Sequence, residues 1–319
     1  MLCGVKAALV ALAASFLVSG CGGSDSDEGG GQPKTKKLPP PSAYDCTRTV
    51  APERTNAIPV SCATDRACPT RLVSGHRGVG GDLGVLAPED TVSAVYAAVA
   101  IGSDFVETDP RPTKDGVLVN LHDPDVDRTT NGTGVASDMT LAEIQALQID
   151  ASKFEGDFSC EHVPTLEEIL DAARGRIHVL IDANKTDRVD LLVKAIQDTD
   201  TLDWAIFDTD SSDKISEALT LEPKLHTMIR VADTVELDSE LQLFSAHPPV
   251  IVELHDGADV STLVPAVHAA GNRALTDVFG VDLSAKFSND ASLYETVFAD
   301  GVDIAQTDRP ELALEYLGR

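Results

Sequence analysis

Beyond residue 71 the chain alternates between two periods. Short apolar, β-branched runs occur at 72–74, 105–106, 177–181, 205–207, 225–229, 250–252, 273–275 and 302–305, and each reads as a strand. Between them lie helical stretches at 90–100, 166–173, 187–197, 213–219, 239–245, 261–269 and 291–299. One further apolar run, 117–121, stands only a turn from its predecessor and reads as the arm of a small hairpin inserted after the second strand. Eight strands alternating with helices over about 250 residues predict an α/β fold, a (β/α)8 TIM barrel. A doubly wound open sheet is the alternative. No G-x-G-x-x-G follows the first strand, which weakens its dinucleotide-binding form.

A barrel makes a sharp demand, because functional side chains belong at the C-terminal ends of its strands. Polar residues fall there in turn. His76 and Arg77 follow the first strand, Glu107 and Asp109 the second, and His122 and Asp123 the hairpin arm. Asp182, Glu253, Thr276 with Asp277, and Thr307 with Asp308 end later strands.

Glu107 and Asp109 are two residues apart, so a strand points both to one side. Like charges so placed repel unless a cation lies between them. Oxygen ligands suit Ca²⁺ or Mg²⁺ rather than Zn²⁺, and Asp182 on the neighbouring strand is the expected third ligand. A histidine at a strand end can move protons near neutral pH, which makes His76 and His122 acid/base candidates. Arg77 offers a forked donor to phosphate oxygens. Two histidines, an arginine and a cation together describe phosphodiester cleavage. His162, His178, His226, His247, His255 and His268 read as core or capping histidines.

The N-terminus reads as an address. In 1–20, Lys6 precedes an apolar run over 7–18, too short to span a bilayer and the right length for a signal peptide. Leu17-Val18-Ser19-Gly20-Cys21 resembles the bacterial lipobox, so the chain is expected to be exported and held at a membrane through lipidated Cys21. Gly22 after the cysteine points to the outer membrane or cell surface; a plain secretory signal is the alternative. Residues 21–43 are Gly/Ser/Asp-rich and then Pro-rich, a flexible tether. A cysteine-containing extension, 44–70, precedes the barrel domain, 71–319. Cys46, Cys62, Cys68 and Cys160 suggest two disulfides with three possible pairings, pinning the extension to the barrel. A zinc site is the weaker rival, because no C-x-x-C spacing occurs.

Composition narrows the partners. The 319 residues carry 25 Lys+Arg against 52 Asp+Glu, a net charge of −27, with no local basic patch. Such a chain is repelled by nucleic acid, which leaves a small anionic substrate and a divalent cation. With 43% hydrophobic residues, bulk disorder is excluded. A monomer is expected.

Taken together, HRG (76–78), APEDT (87–91), FVETDPRPTKDGVLVNLHDPDVDRTTNGTG (105–134) and GVDIAQTDRPELALEYL (301–317) closely resemble the glycerophosphodiester phosphodiesterase family. The resemblance implies metal-dependent hydrolysis of glycerophosphodiesters to sn-glycerol 3-phosphate and an alcohol. It implies that His76 and His122 are the acid/base pair, that Arg77 holds the phosphate, and that Glu107 and Asp109 bind the metal. Glu89 and Asp123 would support the site. Three departures stand out. Asp90 replaces the Asn of PENT, either altering a hydrogen bond under the site or capping the next helix. The E-x-K strand reads Asp182, Ala183, Asn184, with Lys185 one position off and facing away if the strand continues. W-T-x-N reads Leu275-Thr276-Asp277, removing an aromatic wall. These changes keep lysophospholipid, sphingolipid and phosphoinositol diesters in view as alternative substrates. A non-catalytic binding lipoprotein is disfavoured by the intact histidines, arginine and E-x-D pair. Residues 79–86 read as a mobile loop beside the site, with a phosphate cradle as the alternative, and 127–134 as an ordered loop over the mouth.

Overall fold

The computed structural model describes residues 37–319, all within one compact unit, Thr35–Arg319. The expected signal segment 1–20, Cys21 and the tether as far as residue 36 lie outside the described residues. No described helix is long and apolar enough to cross a membrane.

The strands, in chain order, are β1 (Leu72–Gly75), β2 (Phe105–Thr108), the short β3 (Pro110–Pro112) and β4 (Leu118–Asn120), β5 (His178–Asp182) and β6 (Ala205–Thr209). They continue with β7 (His226–Val231), β8 (Ile251–Leu254), β9 (Ala274–Asp277) and β10 (Ile304–Thr307). Eight of them form a closed barrel in the order β1, β2, β5, β6, β7, β8, β9, β10. All its pairings are parallel, and β10 closes it by pairing Leu72 with Ile304 and Gly75 with Thr307. β3 and β4 form a separate antiparallel hairpin, the insertion expected after the second strand.

The barrel's interior explains where its chemistry sits. Residues two apart share a face of a strand. The inner lower layer is Leu72, Phe105, Leu180, Ile206, Met228, Ile251, Leu275 and Ile304, packed as one apolar cluster. Two residues further along each strand stand Ser74, Glu107, Asp182, Asp208, Arg230, Glu253, Asp277 and Gln306. A wholly apolar floor thus lies under a wholly polar ring. A fully buried Leu, Ile or Phe contributes about 1.5–3 kcal/mol, so the floor is the cohesive layer beneath charges that repel one another. The intervening residues, such as Val73, Val106, Val179, Phe207, Val252 and Ala305, face outward into the core shared with the helices.

Helices α1 (Val92–Ile101), α2 (Leu141–Gln145), α3 (Leu166–Ala173), α4 (Val189–Asp198) and α5 (Ser212–Leu221) are followed by α6 (Thr234–Leu243) and α7 (Val260–Ala269). The last are α8 (Phe279–Ser288), α9 (Glu295–Ala299) and α10 (Pro310–Tyr316). Helices α2 and α10 lie outside the expected stretches, the one expected at 291–299 is α-helical only over Glu295–Ala299, and two further departures have a local cause. The helix expected at 239–245 starts earlier, because Asp233 caps α6 by accepting from the Val235 and Glu236 amides. Helix α8 was not legible, because its pattern is inverted. Phe279, Leu283 and Phe287 are exposed, while Asp282 is buried and accepts from Thr307, Tyr294 and the Asp308 amide.

The extension closes the barrel from below. Cys62 and Ala63 pack into the floor cluster, joined by Ile58 and Cys68. Arg273 reaches down to the carbonyls of Cys62 (2.9 Å) and Thr70 (2.7 Å). The disulfides pair Cys46 with Cys160 and Cys62 with Cys68. Only the first ties the extension to the barrel domain. The second closes a loop within the extension, so the expected pinning by both bridges is corrected: packing and Arg273 do the rest.

Candidate active site

Above the floor the polar ring opens into a cavity of about 410 Å³. His76, Arg77, Glu107, Asp109, His122 and Asp182 all line it. So do Lys185, Arg230, His255, Phe279 and Gln306, whose place the sequence reading did not assign to the site.

The His76–Gly78 turn is made possible by glycine. A Cβ on Gly75 would lie 1.9 Å from the Gly78 carbonyl oxygen, and Gly78 itself has φ 96°. Arg77 adopts φ 51°, held there by its amide donating to Glu107 Oε2 at 2.8 Å and its carbonyl accepting from the Asp90 amide at 3.0 Å. His76 is thereby fixed over the cavity. Its Nδ1 lies 2.7 Å from Asp308 Oδ1. Asp308 is in turn held by the amides of Gly81 (2.9 Å) and Leu83 (3.1 Å). Two amides of the 79–86 loop, those of Gly81 and Leu83, are thus committed to Asp308 and not turned to a phosphate. Burial disfavours the imidazolium, but the Asp308 hydrogen bond and the Glu107 charge overcome it and push His76 up to about 10.

His122 repeats the device in a wetter place. It follows β4, and its carbonyl accepts from Arg111 Nη2 at 2.6 Å. Its Nδ1 lies 2.8 Å from Asp123 Oδ1, and Arg128 Nε donates to Asp123 Oδ2 at 2.6 Å. Arg128, from the 127–134 loop, also donates to both oxygens of Glu89. The Arg128 hydrogen bond holds the Asp123 carboxyl down to about 2. His122 itself lies below the usual histidine range, because burial outweighs the opposing charges of Asp109 and Asp123. Glu89 joins the two halves, since it also accepts from Arg77 Nη1 at 3.1 Å.

Asp90 does not cap α1. Thr91 does, accepting from the Ala94 amide. Asp90 instead lies buried in the left-handed region at φ 55°, 3.4 Å from the Thr108 hydroxyl, with Oδ2 unpartnered. Burial, then Asp109 and Glu89, raise it well above the usual carboxyl range. A carboxyl kept neutral in this way resembles the amide it replaces in charge, although its Oδ2 has no partner here.

Glu107, Asp109 and Asp182 each present an oxygen within 4.8 Å of the others, and all three are buried. Neither Asp109 oxygen has a hydrogen-bond partner. Lys185 Nζ, 3.4 Å from Asp109 Oδ1, and Arg77 Nε, 3.8 Å from Oδ2, are its nearest cations. Burial and the Asp109 charge raise Glu107 well above the usual range. Three buried carboxylates, one of them orphaned, with oxygen donors only, fit a hard divalent cation.

Two departures resolve here. Strand β5 stops at Asp182 and a 3₁₀ turn, Ala183–Lys185, follows. Lys185 therefore turns into the cavity, and Asn184 turns away to accept from the Thr209 hydroxyl at 2.6 Å. Leu275 belongs to the apolar floor and is fully buried, so its exchange for an aromatic removes no wall of the cavity. Across the mouth, Arg230 is gripped by Asp208 and lies 2.9 Å from Glu253 and 3.6 Å from Asp182. Of the remaining histidines His255 lines the cavity, whereas His178 is buried 5.0 Å from the Trp204 ring and held down to about 3 by burial. A groove of about 470 Å³ beside α10 shares none of these residues.

Residues 76–312 match the Glycerophosphoryl diester phosphodiesterase family. Over 100 residues the chain is 44% identical to a glycerophosphodiester phosphodiesterase of Caldanaerobacter subterraneus subsp. tengcongensis, covering 31% of this chain and 39% of that one. Over 139 residues it is 35% identical to a glycerophosphodiester phosphodiesterase of Bacillus subtilis, covering 40% and 46%. These alignments span less than half the length of the relatives. The fold is shared with the crystal structure of a glycerophosphoryl diester phosphodiesterase from Parabacteroides distasonis, at a TM-score of 0.68 and 24% identity, covering 84% of this chain and 93% of that one.

Proposed function

Because the chain belongs to the glycerophosphoryl diester phosphodiesterase family, we propose that it hydrolyses glycerophosphodiesters to sn-glycerol 3-phosphate and an alcohol. The observation that carries this reading is the pair of carboxylate-anchored histidines facing one cavity beside an acidic triad. Their opposite shifts support opposite roles. His122, neutral at pH 7, takes the proton of the attacking oxygen, either water or the substrate's own glycerol hydroxyl, and in the second case water then opens the cyclic phosphate. His76, protonated, gives one to the oxygen of the leaving alcohol. Asp308 and Asp123 keep each Nδ1 engaged, so that Nε2 is the working nitrogen. Arg77 and Lys185 bind the phosphoryl oxygens and orient the ester. Glu89 keeps the Arg77 guanidinium in place. Glu107, Asp109 and Asp182 would hold a divalent cation, Ca²⁺ or Mg²⁺, which neutralises phosphoryl charge when bound.

The sequence at Cys21 supports a second part of the reading: export, acylation of Cys21 and attachment to the outer membrane or cell surface. Mass spectrometry of the mature N-terminus tests it. An acylated Cys21 is expected, and a free N-terminus elsewhere would refute it. For the activity, the full chain in detergent is offered glycerophosphocholine with EDTA and then with Ca²⁺ or Mg²⁺. The expected result is glycerol 3-phosphate release that depends on added metal. Release undiminished by EDTA would remove the cation from the account. No release with any diester or metal would overturn the hydrolase reading.

A further inference from the structure

Helix α8 is built inside out. Its one carboxylate, Asp282, points into the domain, where it accepts from the Thr307 and Tyr294 hydroxyls and from the Asp308 amide at 2.6 Å. These three bonds fix which face of the helix looks outward. That face carries Phe279, Leu283 and Phe287, spaced by four and so aligned in one stripe, at 47%, 43% and 83% exposure. Phe279 and Phe287 are the only exposed phenylalanines among the described residues. In a chain of net charge −27, the exposed residues of α8 include no acid and one cation, Lys286. The C-cap of the helix, Asn289, lines the groove beside α10 together with Lys37, Leu38, Pro39 and Val85, and Leu38 and Val85 are exposed as well. The apolar surface therefore adjoins the point at which the described chain begins, Lys37, sixteen residues after Cys21.

Apolar side chains scattered singly on a surface are ordinary, whereas a contiguous stripe rimmed by polar residues marks a face that meets a partner or a membrane. We propose that the Phe279, Leu283 and Phe287 face of α8 rests in a zwitterionic lipid surface, with Leu38 and Val85 extending the contact. The proposal rests on the reading that acylated Cys21 holds the chain at a membrane, and adds how the domain sits there. Two observations favour lipid over a second copy of the chain. The sixteen residues from Cys21 to Lys37 span at most about 55 Å, so an anchored chain keeps this corner of the domain beside the bilayer. Pairing two such chains brings two strongly acidic domains together, whereas at a lipid surface Lys286 lays its stem along the apolar layer and its ammonium on the phosphates. The same acidity selects zwitterionic lipid, since an anionic surface repels the chain. Phe279 also lines the catalytic cavity, so docking sets one edge of the barrel mouth at the lipid.

The test places one fluorophore on the full acylated chain in phosphatidylcholine vesicles whose acyl chains carry bromine as a quencher. Phe287→Cys carries the label on the proposed face, and Val235→Cys, 76% exposed on α6, carries it elsewhere. Quenching at 287 is expected to exceed that at 235 at least about threefold. A label on Leu283→Cys is expected to be quenched likewise, and adding Phe287→Ser to that chain is expected to lower the docked-to-free ratio about tenfold. Equal quenching at 287 and 235 would mean that the anchor alone holds the domain, and would overturn the proposal. So would a 287 signal that bromine leaves unquenched but that changes with protein concentration, the mark of a second copy on this face. The three substituted positions are exposed, so the variants are expected to keep the fold, as urea melts would verify. Mass spectrometry of Cys21 separates this proposal from the reading it rests on. An unacylated chain would refute the anchor; the 287 label must then still be quenched when that chain is mixed with the same vesicles, and failure there would overturn the docking face as well.

Discussion

The two histidines reach the same cavity by different routes. His76 ends a barrel strand, and its partner Asp308 is only 2% exposed, held from below by two loop amides. His122 sits on the loop after the hairpin, its partner Asp123 28% exposed and clamped by a half-exposed arginine. Both have Nδ1 against a carboxylate, yet their shifts run in opposite directions. The contrast lies in what else surrounds each ring. Burial opposes the charge of both, but at His76 the Asp308 hydrogen bond and the Glu107 charge overcome it. At His122 burial outweighs Asp109 and Asp123, and Arg77 and Lys185 push the same way as burial. Two copies of one motif thus differ through their surroundings.

The sharpest way to break this comparison is to remove either imidazole. His76→Ala and His122→Ala are each expected to lower kcat about 10²–10⁴-fold, with the protein still folding cooperatively and only His76→Ala melting lower, because buried Asp308 loses its partner. Near-normal turnover in either would end its assignment. Next come the partners. Asp308→Asn is expected to cost about 100-fold in kcat, and Asp123→Asn about tenfold, because Arg128 and solvent still orient His122 in the latter. Equal losses would mean that the depth of the clamp is irrelevant.

Stability offers a smaller effect. Burial works against the Asp308 carboxylate, but the His76 hydrogen bond and the two amides hold it down to about 2, against about 3.9 unfolded. A depressed carboxyl stabilises above its unfolded value and loses that contribution as pH falls through the folded one. Asp308→Asn is therefore expected to lose about 2 kcal/mol at pH 6 and little near pH 2, read by urea melts. Smallest is Asp90→Asn. A raised carboxyl destabilises once pH exceeds its unfolded value, so the amide is expected to gain about 1 kcal/mol at pH 8, a rise in Tm of about 2–4 °C, and nothing at pH 3.5.

Much of this was legible in the sequence. Strand period and strand-end polarity gave the barrel and directed attention to His76, Glu107, His122 and Asp182, because a strand fixes which residues share a face. Side chains whose place depends on where a strand stops were not legible. Lys185 enters the cavity only because β5 gives way to a 3₁₀ turn after Asp182. Arg230 and Gln306 stand one residue past the runs 225–229 and 302–305, and nothing local marks a polar residue there as inward. Arg128 looked like one more turn residue, and α8 hid behind an inverted pattern. Each of these is set by contacts distant in sequence.

The most direct test of the account is the pH dependence of kcat/KM for the wild type and for Asp308→Asn. The wild type is expected to give a bell, its acid limb set by His122 and its alkaline limb by His76. Asp308→Asn is expected to move the alkaline limb to lower pH and leave the acid limb in place. An alkaline limb that does not move, or an acid limb that moves instead, would contradict the assignment of His76 as the acid.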